Sequence, residues 1–207
     1  ATHYQYSAVA VTGEDCRRHY ASAFGISEDK CIVTGLPRTD KLFTDKDKMS
    51  ESVFARHPEF KGKKVILFAP TFRGNGAKSC HYPLHNLDMQ AIAALCRRTD
   101  SVFIFKMHPF VKDIVYIPES LSDVLFDLSA DREINDLLFI TDLLITDWSG
   151  IALEYCFATR RPALFVNTKM TCMTPNWERI GLTPTEITLR DTVGVSVDKD
   201  KLTECRS

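Results

Sequence analysis

Residues 143–150 are Leu-Leu-Ile-Thr-Asp-Trp-Ser-Gly, a short apolar run that ends in a small polar motif just before a stretch with helical spacing. The run predicts a buried strand, and the residues after it predict a helix over 149–158. Two other apolar runs end in polar motifs: 65–69 leads into Pro-Thr-Phe-Arg, and 102–105 leads into Lys-Met-His-Pro. If the three runs are parallel strands of one α/β sheet, their carboxyl ends lie along the edge where such sheets bind ligands. This placement predicts a crevice for an anionic, nucleotide-like ligand.

The wider chain alternates between strand and helix patterns, which is typical of a parallel sheet with helical crossovers. Strands are predicted at 7–11, 31–33, 65–69, 102–105, 124–126, 143–146 and 163–166, with an edge strand at 193–197. Helices are predicted from an N-cap at Thr12 to Phe24, and over 51–56, 87–98, 132–140 and 149–158. Residues 41–48 form a charged stretch, 73–86 favour a loop, and the chain beyond Asn167 is expected to be irregular.

Composition indicates an ordinary globular protein. The chain has 207 residues, 44% hydrophobic and 26% charged, with a net charge of −1 that gives no support to a bulk electrostatic partner such as DNA. No apolar stretch approaches the roughly 18 residues of a membrane-spanning helix. Seven cysteines without a Cys-x-x-Cys pair fit a reducing cytosol better than a disulfide scaffold.

The helix predicted to begin at Ser149 would offer unpaired backbone N–H groups and a favourable dipole to an anion. Ser149 and Gly150 are small, so a phosphate can approach the backbone closely. Asp147 and Glu154 are about two helical turns apart, and a carboxylate there could accept hydrogen bonds from ribose hydroxyls. A plain helix N-cap explains Asp147 equally well.

Cationic side chains follow the other two apolar runs. Arg73 could bind phosphate through its planar fork, or it could be a surface arginine on a mobile loop. His108 could donate to a phosphate or act as an acid toward a leaving phosphate, although a structural histidine is the simpler interpretation. Lys106 is interpreted most simply as a solvated charge. Arg38 lies in a Gly-Leu-Pro-Arg-Thr-Asp turn at 35–40, which could be a hinge or a plain turn.

The ordered set of motifs resembles the CDP-glycerol glycerophosphotransferase family, the teichoic-acid and capsule polymerases with a GT-B fold. The resembling elements are Gly-Leu-Pro-Arg-Thr-Asp at 35–40, Ala-Pro-Thr-Phe-Arg at 69–73, Lys-Met-His-Pro at 106–109 and Ile-Thr-Asp-Trp-Ser-Gly at 145–150. They occur in the family's order and are spread over most of the chain. Two departures are Trp-Ser-Gly at 148–150, where the family commonly has Tyr-Ser-Ser, and Glu154, where an aspartate is more usual.

The resemblance implies an α/β fold with a Rossmann-like parallel sheet and helices on both faces, the C-terminal half of a GT-B architecture. Residues 1–38 would be a remnant of the N-terminal, acceptor-side domain. Residues 39–207 would be the donor-nucleotide-binding domain, truncated at its C-terminus. The general base would belong to the acceptor domain, so the chain alone is expected to bind donor but to turn over little.

The implied reaction is transfer of glycerol phosphate from CDP-glycerol to a hydroxyl of a teichoic-acid-like or capsular polymer, with release of CMP. Asp147 would hold the turn at 146–150, Glu154 would contact the ribose, and residues 128–131 would bracket the base. The catalytic residues implied are Arg73 and His108, and the substrate-binding residues are Arg38, Thr71, Thr146, Asp147, Ser149, Gly150 and Glu154.

Two other classes stay open, namely a GT-B sugar transferase or epimerase that uses a UDP-sugar, and a non-catalytic nucleotide-binding module. The expected partners are CDP-glycerol or a related CDP-alcohol donor and a polymer or lipid-linked acceptor, with no nucleic acid. No cofactor or metal is expected, because the metal-like pair His81 and His85 has Pro83 between its members. The expected location is the cytoplasm, with peripheral contact on the inner face of the cell membrane.

Overall fold

The computed structural model describes residues 3–74, 79–131, 134–170, 177–181 and 183–198, apart from the side chains of Arg38, Asn86 and Ile180. The chain forms two compact units, Ala1–Thr44 and Asp45–Ser207.

The first unit contains a parallel pair of short strands. Its elements are β1 (Val9–Val11), α1 (Glu14–Phe24), β2 (Cys31–Val33) and α2 (Lys41–Thr44). The predicted end of α1 at Phe24 is confirmed: Gly25 follows it with a φ of 65°, the left-handed conformation that glycine adopts without strain. The predicted cap at Thr12 was wrong: the N-cap is Gly13, which has no side chain to cap with, and the Thr12 hydroxyl lies 3.2 Å from the Cys16 thiol instead.

The second unit is a six-stranded sheet flanked by helices. Its elements are α3 (Lys46–Arg56), β3 (Lys64–Phe68), α4 (Met89–Thr99), β4 (Ser101–Phe105), β5 (Leu125–Asp127), α5 (Ile134–Ile140), β6 (Leu143–Thr146), α6 (Ile151–Thr159), β7 (Ala163–Asn167), α7 (Trp177–Ile180), α8 (Thr185–Thr188), α9 (Arg190–Val193) and β8 (Gly194–Asp198).

The strand order is β5-β4-β3-β6-β7-β8, and every neighbouring pair is parallel. Numbered within the unit, this order is 3-2-1-4-5-6, the order of the Rossmann fold. It reverses between β3 and β6, and ligands of such sheets bind outside the carboxyl ends of the strands at that point. The predicted Rossmann-like α/β fold is therefore confirmed, and the motifs after β3 and β6 lie at the switch point.

The apolar runs predict the strands well because the central strands are buried on both faces. All five residues of β4 are buried, and Phe103 and Phe105 pack with Phe68 of β3 in one aromatic cluster. A strand covered on both faces is apolar without alternation, which makes its limits visible in the sequence. This rigid core fixes the strand ends from which the polar motifs extend.

Helical structure differs from the sequence prediction in three ways. The charged stretch 41–48 is helical apart from Asp45, since α2 ends at Thr44 and α3 begins at Lys46. The sequence does not show the start of α3, because most residues of this helix are solvent-exposed and its apolar stripe is narrow. Helices α4 and α6 begin at Met89 and Ile151, each two residues later than predicted. Among the residues described beyond Asn167, three helices of four residues each are too short to show a helical period in the sequence.

Candidate functional site

Asp147 is the central residue of the switch point, and its side chain is only 1% exposed. Its Oδ1 accepts hydrogen bonds from the backbone N–H of Thr71 and of Trp148, both at 2.7 Å. Its Oδ2 accepts from Nη2 of Arg73 at 2.5 Å and from the Thr168 hydroxyl at 3.3 Å. Asp147 therefore joins the segments that follow β3, β6 and β7.

Arg73 is held in place from several sides. Its Nη1 donates to the carbonyl of Thr71 at 2.6 Å, and its Nη2 donates to Asp147 and to the Thr168 hydroxyl at 2.8 Å. Its backbone pairs with His81 in an isolated antiparallel bridge, and its side chain is 18% exposed. The interpretation as an arginine on a mobile surface loop was wrong. A two-pronged grip on phosphate would also require Arg73 to release bonds that it makes within the protein.

Two predicted ligand contacts have structural partners instead. Thr146 is fully buried, and its hydroxyl donates to the carbonyl of Ala69 at 2.7 Å, so this side chain joins two strands and does not reach the crevice. Asp147 is not a helix cap, because the N-cap of α6 is Gly150. The spacing from Asp147 to Glu154 is therefore not two helical turns, since its first part lies ahead of the helix.

The start of α6 offers free backbone donors. Within the described part of the chain, the N–H groups of Ser149 and Gly150 donate to no acceptor. The Ser149 hydroxyl accepts from the N–H of Ile151 at 3.4 Å. Glu154 is half-buried in the first turn of α6. Free N–H groups at the start of a helix form a favourable environment for an anion.

His108 follows β4 and lies against the segment that follows β3. Its ring centroid is 4.7 Å from that of Phe72 and 4.8 Å from that of Phe110. Its Nδ1 accepts a hydrogen bond from the N–H of Phe110 at 3.1 Å, which places the proton of the neutral ring on Nε2. Burial, and then the charge of Lys106, lower the pKa of His108 below its usual 6.5. At neutral pH the ring is therefore an uncharged hydrogen-bond donor through Nε2.

Lys106 is 4% exposed, so its interpretation as a solvated charge was wrong. Its Nζ donates to the carbonyl of Asp131 at 2.6 Å and to that of Ser129 at 3.4 Å. The N–H of Met107 donates to the Ser129 hydroxyl at 2.9 Å. Burial lowers the pKa of Lys106, while Asp131 and Asp127 oppose that shift. Lys106 thus fastens the end of β4 to the segment after β5.

Replacing Lys106 by methionine is expected to destabilise the protein by about 1–3 kcal/mol in urea unfolding, because two carbonyls lose their donor. Burial lowers the pKa of Lys106 below 10.5, so just under that pH the folded state binds fewer protons than the unfolded state. Wild-type stability should therefore rise with pH in that window, and the rise should be smaller in Lys106→Met. Lys112→Met, at an exposed position, is the control. Equal stability of both variants would contradict the assigned contacts.

Arg190 is a site residue for which the sequence analysis had no motif. It is 8% exposed, and it donates to the carbonyl of Asp147 at 3.3 Å, to Oδ1 of Asn167 at 2.8 Å and to the carbonyl of Val166 at 3.3 Å. Its guanidinium carbon lies 4.1 Å from the ring centroid of Trp148. In the sequence, Arg190 belongs to no recognisable motif, and the helices around it are short. No local sequence pattern could therefore have identified it as a site residue.

The remaining predictions concern Arg38, metal binding and membrane-spanning helices. Arg38 belongs to the first unit, in the turn Pro37–Thr39, and its side chain lies outside the described part of the structure. Among the residues that the structure describes, no group of three or more His, Cys, Asp or Glu is placed to hold a metal ion. No helix in those ranges has the length and hydrophobicity needed to cross a membrane.

A parallel sheet with the Rossmann strand order, with free N–H donors and an arginine–aspartate pair at its switch point, defines an α/β domain of the Rossmann type. The sequence model of the family described as CDP-Glycerol:Poly(glycerophosphate) glycerophosphotransferase matches residues 1–171, and the chain belongs to this family.

Individual relatives agree with this assignment. Teichoic acid poly(ribitol-phosphate) polymerase of Bacillus spizizenii is 44% identical over 165 residues, which are 79% of this chain and 26% of the relative. Teichoic acid ribitol-phosphate polymerase TarK of Staphylococcus aureus is 43% identical over 169 residues, which are 79% of this chain and 32% of the relative. Relatives named for glycerol phosphate are 28–32% identical. The chain thus spans about a third or less of the ribitol-phosphate polymerases that it matches.

Solved structures agree on the fold. The wall teichoic acid polymerase TagF has a TM-score of 0.60 to this chain at 23% identity, covering 77% of this chain and 39% of TagF. At that identity the similarity supports the architecture alone, which is the one predicted from the sequence.

Proposed function

We propose that this chain forms the donor-binding part of a transferase that moves a polyol phosphate from a CDP-linked polyol to a hydroxyl of a teichoic-acid-type polymer. The acceptor oxygen forms a bond to the distal phosphorus, the bond from that phosphorus to the bridging oxygen breaks, and CMP leaves with the electron pair. The acceptor proton passes to a base outside the cluster described above. The main support is the free donors of Ser149 and Gly150 at the switch point of a chain in this family.

Catalysis of this step requires stabilisation of the negative charge that grows on the leaving CMP. We assign that role to the N–H groups of Ser149 and Gly150 and to the Nε2–H of His108. Arg73 adds positive charge, and its bonds to Thr71 and Asp147 keep the crevice in shape.

The nucleoside would occupy the neighbouring strand ends. Residues 128–131 bracket the base through their backbone, supported by Lys106, and Glu154 contacts the ribose. Residues 1–38 would then contribute to the acceptor side and residues 39–207 to the donor side. We also propose that the protein contacts the inner face of the cell membrane peripherally.

The polyol is proposed to be ribitol. The sequence resemblance by itself implied CDP-glycerol, but identity to three ribitol-phosphate polymerases is 43–44%, against 28–32% for relatives named for glycerol phosphate and 30% for a ribitol-phosphate primase. The higher identity to the ribitol-phosphate polymerases is the observation that favours ribitol.

Isothermal titration calorimetry tests the donor directly. CDP-ribitol is expected to bind more tightly than CDP-glycerol, and both more tightly than UDP-N-acetylglucosamine, because donor sites select the base and the linked group separately. A preference for the UDP-sugar would favour a sugar transferase or epimerase instead. Absence of binding to every nucleotide would favour a non-catalytic module. A preference for CDP-glycerol would leave the reaction class intact and overturn only the choice of polyol.

A further inference from the structure

We propose that Arg190 is the positioning residue of the donor's pyrophosphate site, where it fixes the Asp147–Trp148 peptide and places a buried positive charge beside the start of α6. The inference rests on the proposed function and deepens it, because it adds a residue on which pyrophosphate recognition depends. Arg190 lies outside residues 1–171, the part of the chain matched by the family model, so the family match does not assign it a role.

The first argument is geometric. Arg190 holds the carbonyl of Asp147, while the carboxylate of the same residue holds Arg73 and the N–H of Thr71. The N–H of Trp148 is also occupied, by Oδ1 of Asp147. The peptide plane ahead of Ser149 is therefore fixed from both sides, and the first free N–H groups after it are those proposed to bind phosphate.

The second argument is the charge of Arg190. In the described part of the chain, Arg73 has a carboxylate partner, whereas Arg190 makes no ion pair and donates only to neutral acceptors. Burial lowers the pKa of Arg190, since water no longer solvates its charge fully, while the charges of Asp191 and Asp147 oppose that shift. A buried cation with no directly bonded anion is destabilising, because carboxylates that it does not contact replace only part of its lost hydration. A bound pyrophosphate would offset that cost.

The third argument is that Arg190 and Ser149 lie along the same groove beside α6, which in this structure is too narrow to admit a water molecule. Phe165 and Glu186 also line it, and Glu186 forms no described ion pair with Arg190. The guanidinium lies over two rings, 4.1 Å from the centroid of Trp148 and 5.0 Å from that of Phe165. A planar guanidinium stacks on aromatic faces in a way that an ammonium cannot reproduce. Lysine is therefore expected to replace the charge of Arg190 but not its geometry.

The test uses three variants in a Trp177→Phe background, which leaves Trp148 as the single tryptophan. Arg190→Gln removes both the charge and the planar guanidinium, whereas Arg190→Lys keeps the charge. Arg179→Gln changes an exposed arginine of α7 and is the matched control. The first readout needs no ligand: Trp148 emission and hydrogen exchange of the amides at 147–150. The second readout is calorimetric affinity for CDP.

We expect Arg190→Gln to red-shift Trp148 emission and to accelerate exchange at 147–150, with exchange in β3 and β4 unchanged. We expect its CDP affinity to fall on the order of 10-fold to 100-fold, the size of a lost charged hydrogen bond. Arg190→Lys should keep the melting temperature close to that of wild type but still lose several-fold in CDP affinity. Arg179→Gln should match wild type in every readout.

The outcomes separate this inference from the proposed function. If wild type binds CDP and both Arg190 variants bind it equally well, the inference is overturned and the proposed function stands. If wild type binds no CDP, the proposed function fails, and with it the pyrophosphate role of Arg190. Unchanged Trp148 emission and amide exchange would then also exclude its positioning role. If Arg190→Gln does not fold, Arg190→Lys decides, since unchanged CDP affinity in that variant overturns the inference.

Discussion

Replacing Asp147 by alanine is expected to lower the free energy of unfolding by about 3–5 kcal/mol, the usual cost of removing one partner of a buried ion pair. The Asp147 carboxylate is 1% exposed and accepts from two backbone N–H groups, from Arg73 and from the Thr168 hydroxyl. Its loss leaves those donors without an acceptor and leaves the Arg73 guanidinium, 18% exposed, without a counter-charge.

Urea unfolding of wild type, Asp147→Ala and Arg73→Met/Asp147→Ala measures this effect. The double variant should recover part of the loss, because no unpaired guanidinium remains. Asp123→Ala is the control, since its pair with Arg97 has 55% and 45% exposed side chains and water screens the interaction. A loss in Asp147→Ala no larger than that of the control would contradict the central role of this carboxylate.

Much of the fold was predictable because burial on both faces marks the central strands. The strand 143–146 was predicted with the limits that it has, and β4 was predicted to within one residue. Helix limits were less predictable. Ser149 and Gly150 fit the start of a helix and the turn before it equally well, and only the hydrogen bonds show that α6 starts at Ile151.

The grouping of the site was predictable for a topological reason: motifs after neighbouring parallel strands must meet at one edge of the sheet. The hydrogen bonds and ion pairs between members of that group were not predictable. Arg73 and Asp147 are 74 residues apart, and nothing local to either residue indicates that they pair. The sequence therefore suggested that Arg73 contacts phosphate and that Asp147 contacts ribose. In the structure the two side chains form an ion pair with each other. Lys106 was misinterpreted for the same reason, because its acceptors are carbonyls more than 20 residues away.

His108 contributes a different kind of interaction, a neutral donor at a site for an anion. Its Nδ1 is occupied by the N–H of Phe110, so the ring donates through Nε2. Protonation at Nδ1 would break that bond, which agrees with the direction in which burial and Lys106 shift the pKa of His108. Below about 6.5 the unfolded chain takes up this proton before the folded protein does, so the contribution of His108 to stability falls as the pH falls.

His108→Ala is expected to weaken CDP binding on the order of 10-fold or more at neutral pH, because a hydrogen bond to a charged phosphate is lost. His108→Gln can place an amide N–H where Nε2–H stands, so it should keep most of that affinity. It should also lose less stability than wild type as the pH falls below 6.5, because glutamine does not titrate. His85→Gln, at an exposed position, serves as the control in the same calorimetric series. Equal losses of CDP affinity in His108→Ala and His108→Gln would mean that the imidazole ring contributes by packing against Phe72. That result would contradict the role of Nε2–H as a hydrogen-bond donor.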